Sequence, residues 1–542
     1  MTMSRQPSYW VEAFDEDERA RLAPYFTNTD RPVFALRNLP EVVKGALFAR
    51  YSRSSKSLRR LFLDEFHDQV AGDLPAAVPA VGEARATRLY RRVLDEYGDN
   101  SVAQLAGAHV ACEQASNLLT KVLEWGRLAS YMEQSTRYQS YTDRPGGRWR
   151  YHVDPEVDRD PELGPLYREV LDGLFATYAE LVPAMVGHLE ATLRPEPGVA
   201  EAAWRRAVKA RALDALRGML PAATTANLGI FASGQAYEAL LLRLRANPLP
   251  EARSYAELLL HELRQVIPSF LERVDLPDRG GAWTSYLAET AAETAKVVDA
   301  LLGDGQAAEE GPSVRLVEFD QAGEDKVLTA IAYPLLGVGE AEVARRVARL
   351  DQGERARLLS AYVGERTNRR HRPGRAFERS VYTFDVVTDY GAFRDLQRHR
   401  LCTIVWQRLT PDLGFEVPPE VADAGLGERY SQSLERLAGL YRALEPRFPA
   451  QAPYAVSMAH RVRFAITLNA RELMHLAELR SSPQGHPTYR TVAQRMHTLV
   501  AERAGHRGLA EAMRFVVHDD VDLGRLDAEQ RWEARRSGVL PA

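Results

Sequence analysis

Two short arginine-bearing segments divide this chain into two halves that follow one plan. The first segment is Arg127-Leu-Ala-Ser-Tyr-Met-Glu-Gln-Ser-Thr-Arg-Tyr138, and the second is Gln397-Arg-His-Arg400. In each half an apolar stretch precedes the arginine-bearing segment, and long helical patterns follow it. The repetition predicts two related domains, 1–305 and 313–542, joined through the turn-rich segment 303–312.

Apolar residues at three- and four-residue spacing predict that most of the chain is helical. Strands are predicted at 314–320, where apolar and polar residues alternate, and at 380–389, which is rich in β-branched and aromatic residues. Residues 327–333 suit either a strand or the start of a helix. The expected class is α+β, helix-dominated with small antiparallel sheets. The predicted helices cover 101–123, 166–195, 199–219, 251–275, 282–302, 340–364, 427–445 and 457–480.

The composition excludes several classes of protein. The formal charge of −4 gives no global attraction to nucleic acid or to anionic membranes. No apolar run reaches the roughly 18 residues of a membrane span, and the first residues lack the apolar core of a signal peptide. Cys112 and Cys402, the two cysteines, lie in apolar stretches, which is typical of buried thiols. We therefore expect a cytoplasmic protein without a disulfide framework.

The residue types in the two segments suit anion binding. On a helix, Arg394 and Arg398 would share a face and Arg400 would point away from them, so that guanidinium groups could grip a phosphorylated ligand from two directions. Taken alone, a basic triplet in an arginine-rich chain is more typical of a solvated face. No His, Glu or Cys cluster shows metal-ligand spacing, so no metal site is predicted.

The first segment offers a carboxylate, a hydroxyl and a guanidinium to one ligand. Glu133, Ser135 and Arg137 alternate, so an extended backbone would point all three side chains the same way. A polar loop after Arg127 explains the same residues. A second basic stretch, 368–375, is more typical of a solvated turn than of a nucleic-acid interface, because it lacks interleaved aromatic residues.

Together the two segments resemble the signature of the flavin-dependent (alternative) thymidylate synthases, Arg-His-Arg, two residues, Ser, two residues, Glu-x-Ser-x-Arg-Tyr. The first half keeps the later part but has Trp125 and Gly126 in place of Arg-His, whereas the second half keeps only its start. Downstream, 469–480 is similar to the Asn-x-Arg…Leu-Arg element of the family, and 217–221 to its Arg-x-x-Leu-Pro nucleotide contact. The chain thus resembles two tandem thymidylate-synthase-complementing-like domains, duplicated and diverged.

Some positions depart from the family pattern. Asp395 stands where the family often has a glutamine that contacts nucleotide, and Arg379 replaces a histidine ahead of the strand. Arg245 is a candidate counterpart of Arg480 in the first half, where Ser233 and Gly234 replace the asparagine. With these departures, the resemblance implies that at most half of the composite sites work.

The resemblance implies FAD-dependent methylation of dUMP to dTMP, with methylenetetrahydrofolate and NADPH as co-substrates, at a site composed from both repeats. The repeats would come from one chain or from two copies, and the assembly would be a homodimer forming a pseudo-tetramer. A catalytically inactive, uracil-nucleotide-binding or structural descendant is the alternative. The resemblance implies a catalytic role for Arg480, substrate contacts from Glu133, Ser135, Arg137, Arg217, Arg398 and Arg480, and cofactor contacts from Arg398, His399, Arg400, Asn469, Arg471 and His475.

Overall fold

A computed structural model describes residues 12–30, 34, 36–51, 56–70, 104–137, 139–195, 199–303, 311–519, 526 and 530. The chain packs as two compact units. Unit 1 comprises Met1–Glu113, Leu128–Glu133 and Asn227–Gly305, and unit 2 comprises Gln114–Arg127, Gln134–Ala226 and Gln306–Ala542. Unit 2 therefore contains sequence from both predicted repeats. Most of the predicted junction 303–312 lies outside the described residues, and the repeat boundaries remain a prediction.

Helices dominate both units, which confirms the predicted α+β class. The helices of residues 12–305 are Glu16–Leu22, Glu41–Tyr51, Leu58–Glu65, His67–Val70, Asn117–Leu123, Pro155–Asp158, Leu163–Thr192, Glu201–Leu216, Gly234–Arg245, Pro250–Leu263 and Ala282–Leu302. Those that follow are Gly323–Leu336, Glu340–Val347, Gln352–Val363, Tyr390–Gln397, Pro419–Asp423, Gly427–Leu444, Ala470–Arg480, Pro487–Glu502 and Arg507–Ala512.

Seven strands in the described residues form two small sheets. β1 (Gly107–Ser116), β2 (Ala129–Glu133) and β3 (Thr225–Ser233) lie in the order β1-β3-β2. β4 (Ser313–Phe319), β5 (Val381–Asp389), β6 (Thr403–Trp406) and β7 (Arg461–Asn469) lie in the order β4-β5-β7-β6, with antiparallel neighbours throughout. The predicted strands at 314–320 and 380–389 are thereby confirmed as β4 and β5.

The duplication is visible in the order of the elements. The first half runs β1, a helix, β2, a helical segment, β3 and a helix, and the second half runs β5, a helix, β6, a helical segment, β7 and a helix. The pairing registers match as well, because Ser130 faces Phe231 across β2 and β3 while Thr403 faces Thr467 across β6 and β7. The same correspondence equates the helix N-caps Ser116 and Asp389, and likewise Ser233 and Asn469.

Three predicted helices are wrong over part of their length, and one of them, 251–275, ends at Leu263. Residues 107–116 of predicted helix 101–123 form β1, and residues 461–469 of predicted helix 457–480 form β7. In β7 every second residue is buried, from Val462 to Leu468, which is the period of a strand with one face on the core. Predicted helix 340–364 is two helices, because Asp351 begins the second with a capping box, and 327–333 lies in a helix.

The core of unit 2 joins helices from both halves. Helix Leu163–Thr192 packs against Glu201–Leu216 and against Gly427–Leu444. By length and composition alone this helix could cross a membrane. The sequence analysis did not predict this, because it found no uninterrupted apolar run of roughly 18 residues. However, 44% of its apolar window is buried against the protein, as expected of a core helix. Cys112 and Cys402 are buried free thiols, as predicted.

Candidate functional site

Strand β5 delivers the chain to the helix that leads into the Arg398-His399-Arg400 triplet. The Asp389 carboxylate caps this helix by accepting a hydrogen bond of 2.6 Å from the Ala392 amide. The helix ends at Gln397, so the triplet lies beyond its last residue and not on a helical face as the sequence suggested. As a result His399 turns inward and is 5% exposed, while Arg398 and Arg400 are exposed.

Strand β7 delivers the chain to helix Ala470–Arg480 in the same way. The side-chain oxygen of its N-cap, Asn469, accepts a hydrogen bond of 3.0 Å from the Glu472 amide. Arg471 Nε donates to the carbonyl oxygen of Pro373 at 3.0 Å, which ties the helix start to the 368–375 loop. From that loop Arg372 Nη2 reaches His475 Nδ1 at 2.8 Å. The stretch interpreted as a solvated turn therefore contributes an arginine to the site.

A chain of hydrogen bonds orients the buried His399 imidazole. Its Nδ1 is 3.1 Å from Glu472 Oε1, and Arg480 Nε donates to its Nε2 at 3.0 Å. Because a guanidinium group only donates, Nε2 is the acceptor and Nδ1 carries the hydrogen. Burial lowers the pKa of His399 well below its ordinary value, and the Arg480 charge lowers it further. The imidazole is therefore neutral and positions Arg480.

His399, Glu472 and His475 could each place one ligand atom within 4.8 Å of the others, a separation that would suit a metal ion. Burial lowers the pKa of His475 to about 4, so this imidazole is neutral as well. Arg480 and Arg372, however, direct guanidinium groups at the two imidazoles. A divalent cation would sit beside two fixed positive charges, so the donor set suits an anionic or polar ligand better.

A second cluster surrounds the Asp395 carboxylate. Its Oδ2 is 3.3 Å from Arg217 Nη1, and its Oδ1 is 3.7 Å from Arg480 Nη1. The Arg217 side chain is 4% exposed, and its Nη2 is buried with no hydrogen-bond partner among the described residues. Gly391 leaves it room, because a Cβ there would lie 3.1 Å from this nitrogen. A buried donor without an acceptor is the feature that a bound anion would satisfy.

Arg137 is held by protein groups. Its Nε and Nη2 donate to the two Asp214 carboxylate oxygens at 2.7 and 2.6 Å. Its Nη1 donates to Tyr489 Oη at 2.7 Å, and Nη2 also donates to the Gln484 carbonyl oxygen at 2.9 Å. Ser135 Oγ accepts a hydrogen bond of 3.2 Å from the Arg137 amide and so shapes this turn. Sequence reasoning missed Asp214, although it precedes Arg217 by one helical turn.

Unit 2 brings together predicted site residues from both halves of the sequence. The guanidinium groups of Arg137 and Arg480 lie 5.7 and 5.4 Å from the centre of the Tyr489 ring. Arg217, also from the first half, shares Asp395 with Arg480. Arg398 Nε lies 3.9 Å from Glu124, another first-half residue. Glu133 is the exception, since it is buried at the end of β2 in unit 1, opposite Leu228.

The model of the thymidylate synthase complementing protein family matches residues 46–269 and 325–504. The chain belongs to this family. The match in two segments confirms the resemblance to flavin-dependent thymidylate synthases and agrees with the tandem duplication. Sequence similarity to three curated proteins extends over nearly the whole chain and nearly the whole length of each relative. Proteins of about the same length therefore share this sequence.

Three such relatives carry the name UPF0159 protein. The one from Chlamydia muridarum is 37% identical over 96% of this chain and 99% of its own length. Those from Chlamydia pneumoniae and Thermoplasma acidophilum are 36% and 31% identical over 96% and 92% of this chain, and over 98% and 99% of their own lengths. A crystal structure of the UMP/dUMP methylase PolB from Streptomyces cacaoi matches 39% of this chain and 99% of its own, at 20% identity and a TM-score of 0.31. Because that likeness is low, no functional statement rests on it.

Proposed function

We propose that this protein methylates dUMP to dTMP with FAD, methylenetetrahydrofolate and NADPH, at a composite site formed by both repeats of one chain. One observation carries the proposal. Arg137 and Arg217 of the first half meet Arg480 of the second half within unit 2, around Asp395 and Tyr489. The family signature and its downstream elements are divided between the two halves of the sequence. Arg137 and Arg217 supply elements from the first half, and Arg480 supplies one from the second.

Arg217 is the best placed group for the nucleotide phosphate. Its buried Nη2 offers a hydrogen-bond donor that lacks an acceptor among the described residues. Arg398, with 37% of its side chain exposed, could supply a second guanidinium group from the surface of the same unit. Arg137 would act indirectly, because Asp214, Tyr489 and Gln484 already engage its guanidinium group. Ser135, and Glu133 from unit 1, remain predicted nucleotide contacts.

The residues around His399 suit a flavin dinucleotide. Arg398, Arg400 and Arg471 supply positive charge for a pyrophosphate, and His399, Asn469 and His475 supply polar groups for a ring system. When bound, FAD would supply the redox chemistry between the one-carbon donor, the nucleotide and NADPH. The protein would contribute binding and orientation. Arg471 would hold the start of its helix through Pro373, while Arg372 would orient His475.

Arg480 would perform the electrostatic part of the reaction. Methyl transfer to carbon 5 requires negative charge to develop on the uracil ring, and a guanidinium group at the ring edge stabilises that charge. His399 fixes this guanidinium group by accepting from its Nε, and Nη1 lies 3.7 Å from Asp395 Oδ1. A group oriented in advance costs no reorganisation during the reaction.

A second candidate is a descendant that binds uracil nucleotides without turnover. It is favoured by the engagement of Arg137 with Asp214 and by the acidic residue that stands beside Arg480. Both features reduce the positive charge that is free for a ligand. Under this reading the buried donor of Arg217 would still bind a phosphate, but no methyl group would be transferred.

Two measurements separate these candidates. Purified full-length protein should show the absorbance bands of a bound flavin, and its expression should restore growth to a thymidine auxotroph. Protein that binds dUMP but takes up no FAD and does not restore growth would establish the second candidate. Protein that binds neither would overturn both.

Mixing inactive variants tests whether the site forms within one chain. Because Arg137 and Arg480 lie over the same tyrosine ring, mixed Arg137→Ala and Arg480→Ala proteins should regain no activity. Recovery of activity on mixing would show that the two repeats come from different chains. The homodimer and the cytoplasmic location remain predictions, to be checked by sedimentation and by fractionation.

A further inference from the structure

One face of helix Ala470–Arg480 is bound along its length by a single irregular segment, residues 366–373. The side chains on this face, which follow one another at four- and three-residue spacing, are Arg471, His475 and Glu478. The first donates to the Pro373 carbonyl oxygen at 3.0 Å, and the second is 2.8 Å from Arg372 Nη2. The third pairs with Arg366, so the segment runs antiparallel to the helix and contacts it at every turn.

The Arg366 guanidinium group makes the most buried of these contacts. Its Nη1 and Nη2 donate to the two Glu478 carboxylate oxygens at 2.7 and 2.6 Å, and each side chain is 1% exposed. Nη1 also donates to the Ala512 carbonyl oxygen at 2.6 Å, and the group lies 5.1 Å from the centre of the Phe515 ring. Its Nε donates to the His371 carbonyl oxygen. One side chain therefore joins three segments of unit 2.

The geometry of a buried ion pair is strict, although its net contribution to stability is small. The cost of desolvating two charges offsets most of their attraction, so apolar side chains of similar volume often stabilise a protein equally well. A two-pronged guanidinium–carboxylate contact, in contrast, holds both groups in one orientation. Glu478 and Arg480 are two residues apart on one helix and point about 200° away from each other. Fixing Glu478 therefore fixes the rotation at which Arg480 meets His399.

We propose that Arg366 is a positioning residue for the reaction at Arg480. It acts through Glu478, which fixes the rotation of the helix together with the contacts that Arg372 and Pro373 make on the same face. The inference rests on the proposed function, which gives Arg480 its electrostatic role. Arg366 itself is 1% exposed and acts on the reaction only through the helix.

The residues that close over the ion pair come from the C-terminal part of the chain. Ala512 and Phe515 lie beyond residue 504, where the family match ends. Two residues further on, the Val517 amide donates to Ser481 Oγ at 3.0 Å, directly after the end of the helix. The family signature does not predict this arrangement, because the covering segment lies outside the part of the chain that the family model matches.

A conservative substitution tests the positioning role. Arg366→Lys keeps the charge but cannot form the planar, two-pronged contact. The kcat of dTMP formation should fall at least about tenfold, because a displaced guanidinium group stabilises the transition state less well. KM for dUMP should change less than about threefold, because the phosphate contacts proposed for Arg217 and Arg398 are untouched. The matched control is Arg447→Lys, whose partner Asp160 is also buried and which should change kcat less than about twofold.

A second background separates positioning from a general structural role. Once Arg480→Ala has removed the group that is positioned, Arg366→Lys should lower the rate less than about twofold further. A residue that only stabilises the fold would lower the rate by the same factor in both backgrounds, and that result would overturn the inference. Circular dichroism and urea unfolding establish that each variant is folded at the assay temperature.

Hydrogen exchange of the ligand-free, full-length protein gives a readout that needs no turnover. Arg366→Lys should speed amide exchange in 470–480 at least about fivefold and leave Gly427–Leu444 unchanged, because only the local opening becomes easier. Arg447→Lys should leave 470–480 unchanged. Unaltered exchange of 470–480 in Arg366→Lys would contradict the inference.

These measurements distinguish failure of the inference from failure of the proposed function. A wild type that forms no dTMP would overturn the proposed function, and hydrogen exchange would then decide alone whether Arg366 fixes the helix. If Arg366→Lys does not fold, Phe515→Leu replaces it in both experiments, because it removes only the ring beside the guanidinium group. Its effects should have the same direction, at about threefold.

Discussion

The two repeats have kept the same strand order but not the same chemistry. Equivalent positions can be paired through the strand registers and helix caps. In the first repeat, residues of the site are replaced by side chains without charge. The pairs, second repeat first, are Asp395 and Val122, Arg398 and Trp125, His399 and Gly126, Glu472 and Ala236, His475 and Ala239, and Arg480 and Leu244.

What the repeats share is what folding requires. Ser116 and Asp389 cap equivalent helices by accepting from backbone amides, and Ser233 and Asn469 do the same at the ends of β3 and β7. The register also corrects the expected counterpart of Arg480. Leu244, which is fully buried, occupies that position, and Arg245 points elsewhere, to the carbonyl oxygen of Val274. The first repeat has thus kept its scaffold, and its residues beside the second-repeat cluster in unit 2 include Arg137 and Arg217.

The largest expected effect concerns Arg137, a first-half residue that stabilises unit 2. Arg137→Ala would remove the guanidinium group that forms two hydrogen bonds and an ion pair with the Asp214 carboxylate, which is 13% exposed. We expect a loss of about 3–5 kcal/mol in the free energy of unfolding, measured with urea. The control is Arg436→Ala, whose exposed pair with Glu169 should contribute less than about 1 kcal/mol. Equal effects would contradict the structural role of Arg137.

Removal of the Arg480 guanidinium group tests the proposal that the second repeat performs the chemistry. Arg480→Ala should lower dTMP formation from dUMP at least about 100-fold, because the charge that develops on the ring loses its stabilising group. Arg245→Ala, at the end of the equivalent helix, should change the rate by less than about threefold. Chromatographic assay of dTMP measures both. A large loss in Arg245→Ala would mean that the first repeat also carries a working site.

Acidification should weaken unit 2 through its buried histidines. Burial lowers the pKa of His460 and His475 to about 4, below the ordinary value of 6.5 that they regain on unfolding. The unfolded chain therefore binds protons first as pH falls, and stability present at pH 7 is lost between about pH 6.5 and 4. Each histidine contributes up to about 1.4 kcal/mol per pH unit in that window.

Urea unfolding at pH 7, 6 and 5 measures this slope. His460→Asn should flatten it, whereas His261→Gln, at a side chain 76% exposed in unit 1, should leave it unchanged. A wild-type stability that is independent of pH across this range would contradict the neutral, buried state of these imidazoles.

The smallest effects are expected at equivalent positions where both repeats have an exposed apolar side chain. Met132 and Val405 occupy equivalent places on β2 and β6 and are 78% and 65% exposed. Met132→Thr and Val405→Thr should each change the free energy of unfolding by less than about 0.5 kcal/mol. Thermal unfolding measures this, and sedimentation of the same samples tests the predicted homodimer. A large loss of stability that depends on protein concentration would show that an interface covers these strands.

The sequence predicted the fold class better than it predicted some of the individual helices and strands. Strands β4 and β5 were found because alternation and β-branching were strong there. Strand β7 was assigned to a helix, because it is continuous with a true helix at Ala470 and its apolar residues also fit helical spacing over a few turns. Local periodicity cannot distinguish these cases when a strand runs directly into a helix.

The polar partners of the site could not be read from the sequence for a different reason. Asp214 and Tyr489 contact Arg137, and Glu472 contacts His399, only after distant segments have packed together. No spacing rule links residues that lie so far apart in sequence. The exception is Asp395, which departs from the family pattern in a recognisable motif and was noticed for that reason.

The matched strand orders carry an evolutionary consequence. In an assembly of identical subunits, every substitution appears in every site at once, so a change that suits one role must be tolerated in all of them. Fusing two copies into one gene removes that constraint, and each copy can mutate alone. Gly126 and Leu244, which occupy the positions of His399 and Arg480 in the second repeat, are changes of this kind. The strand order and register remain matched in the two halves, while their side chains have changed independently.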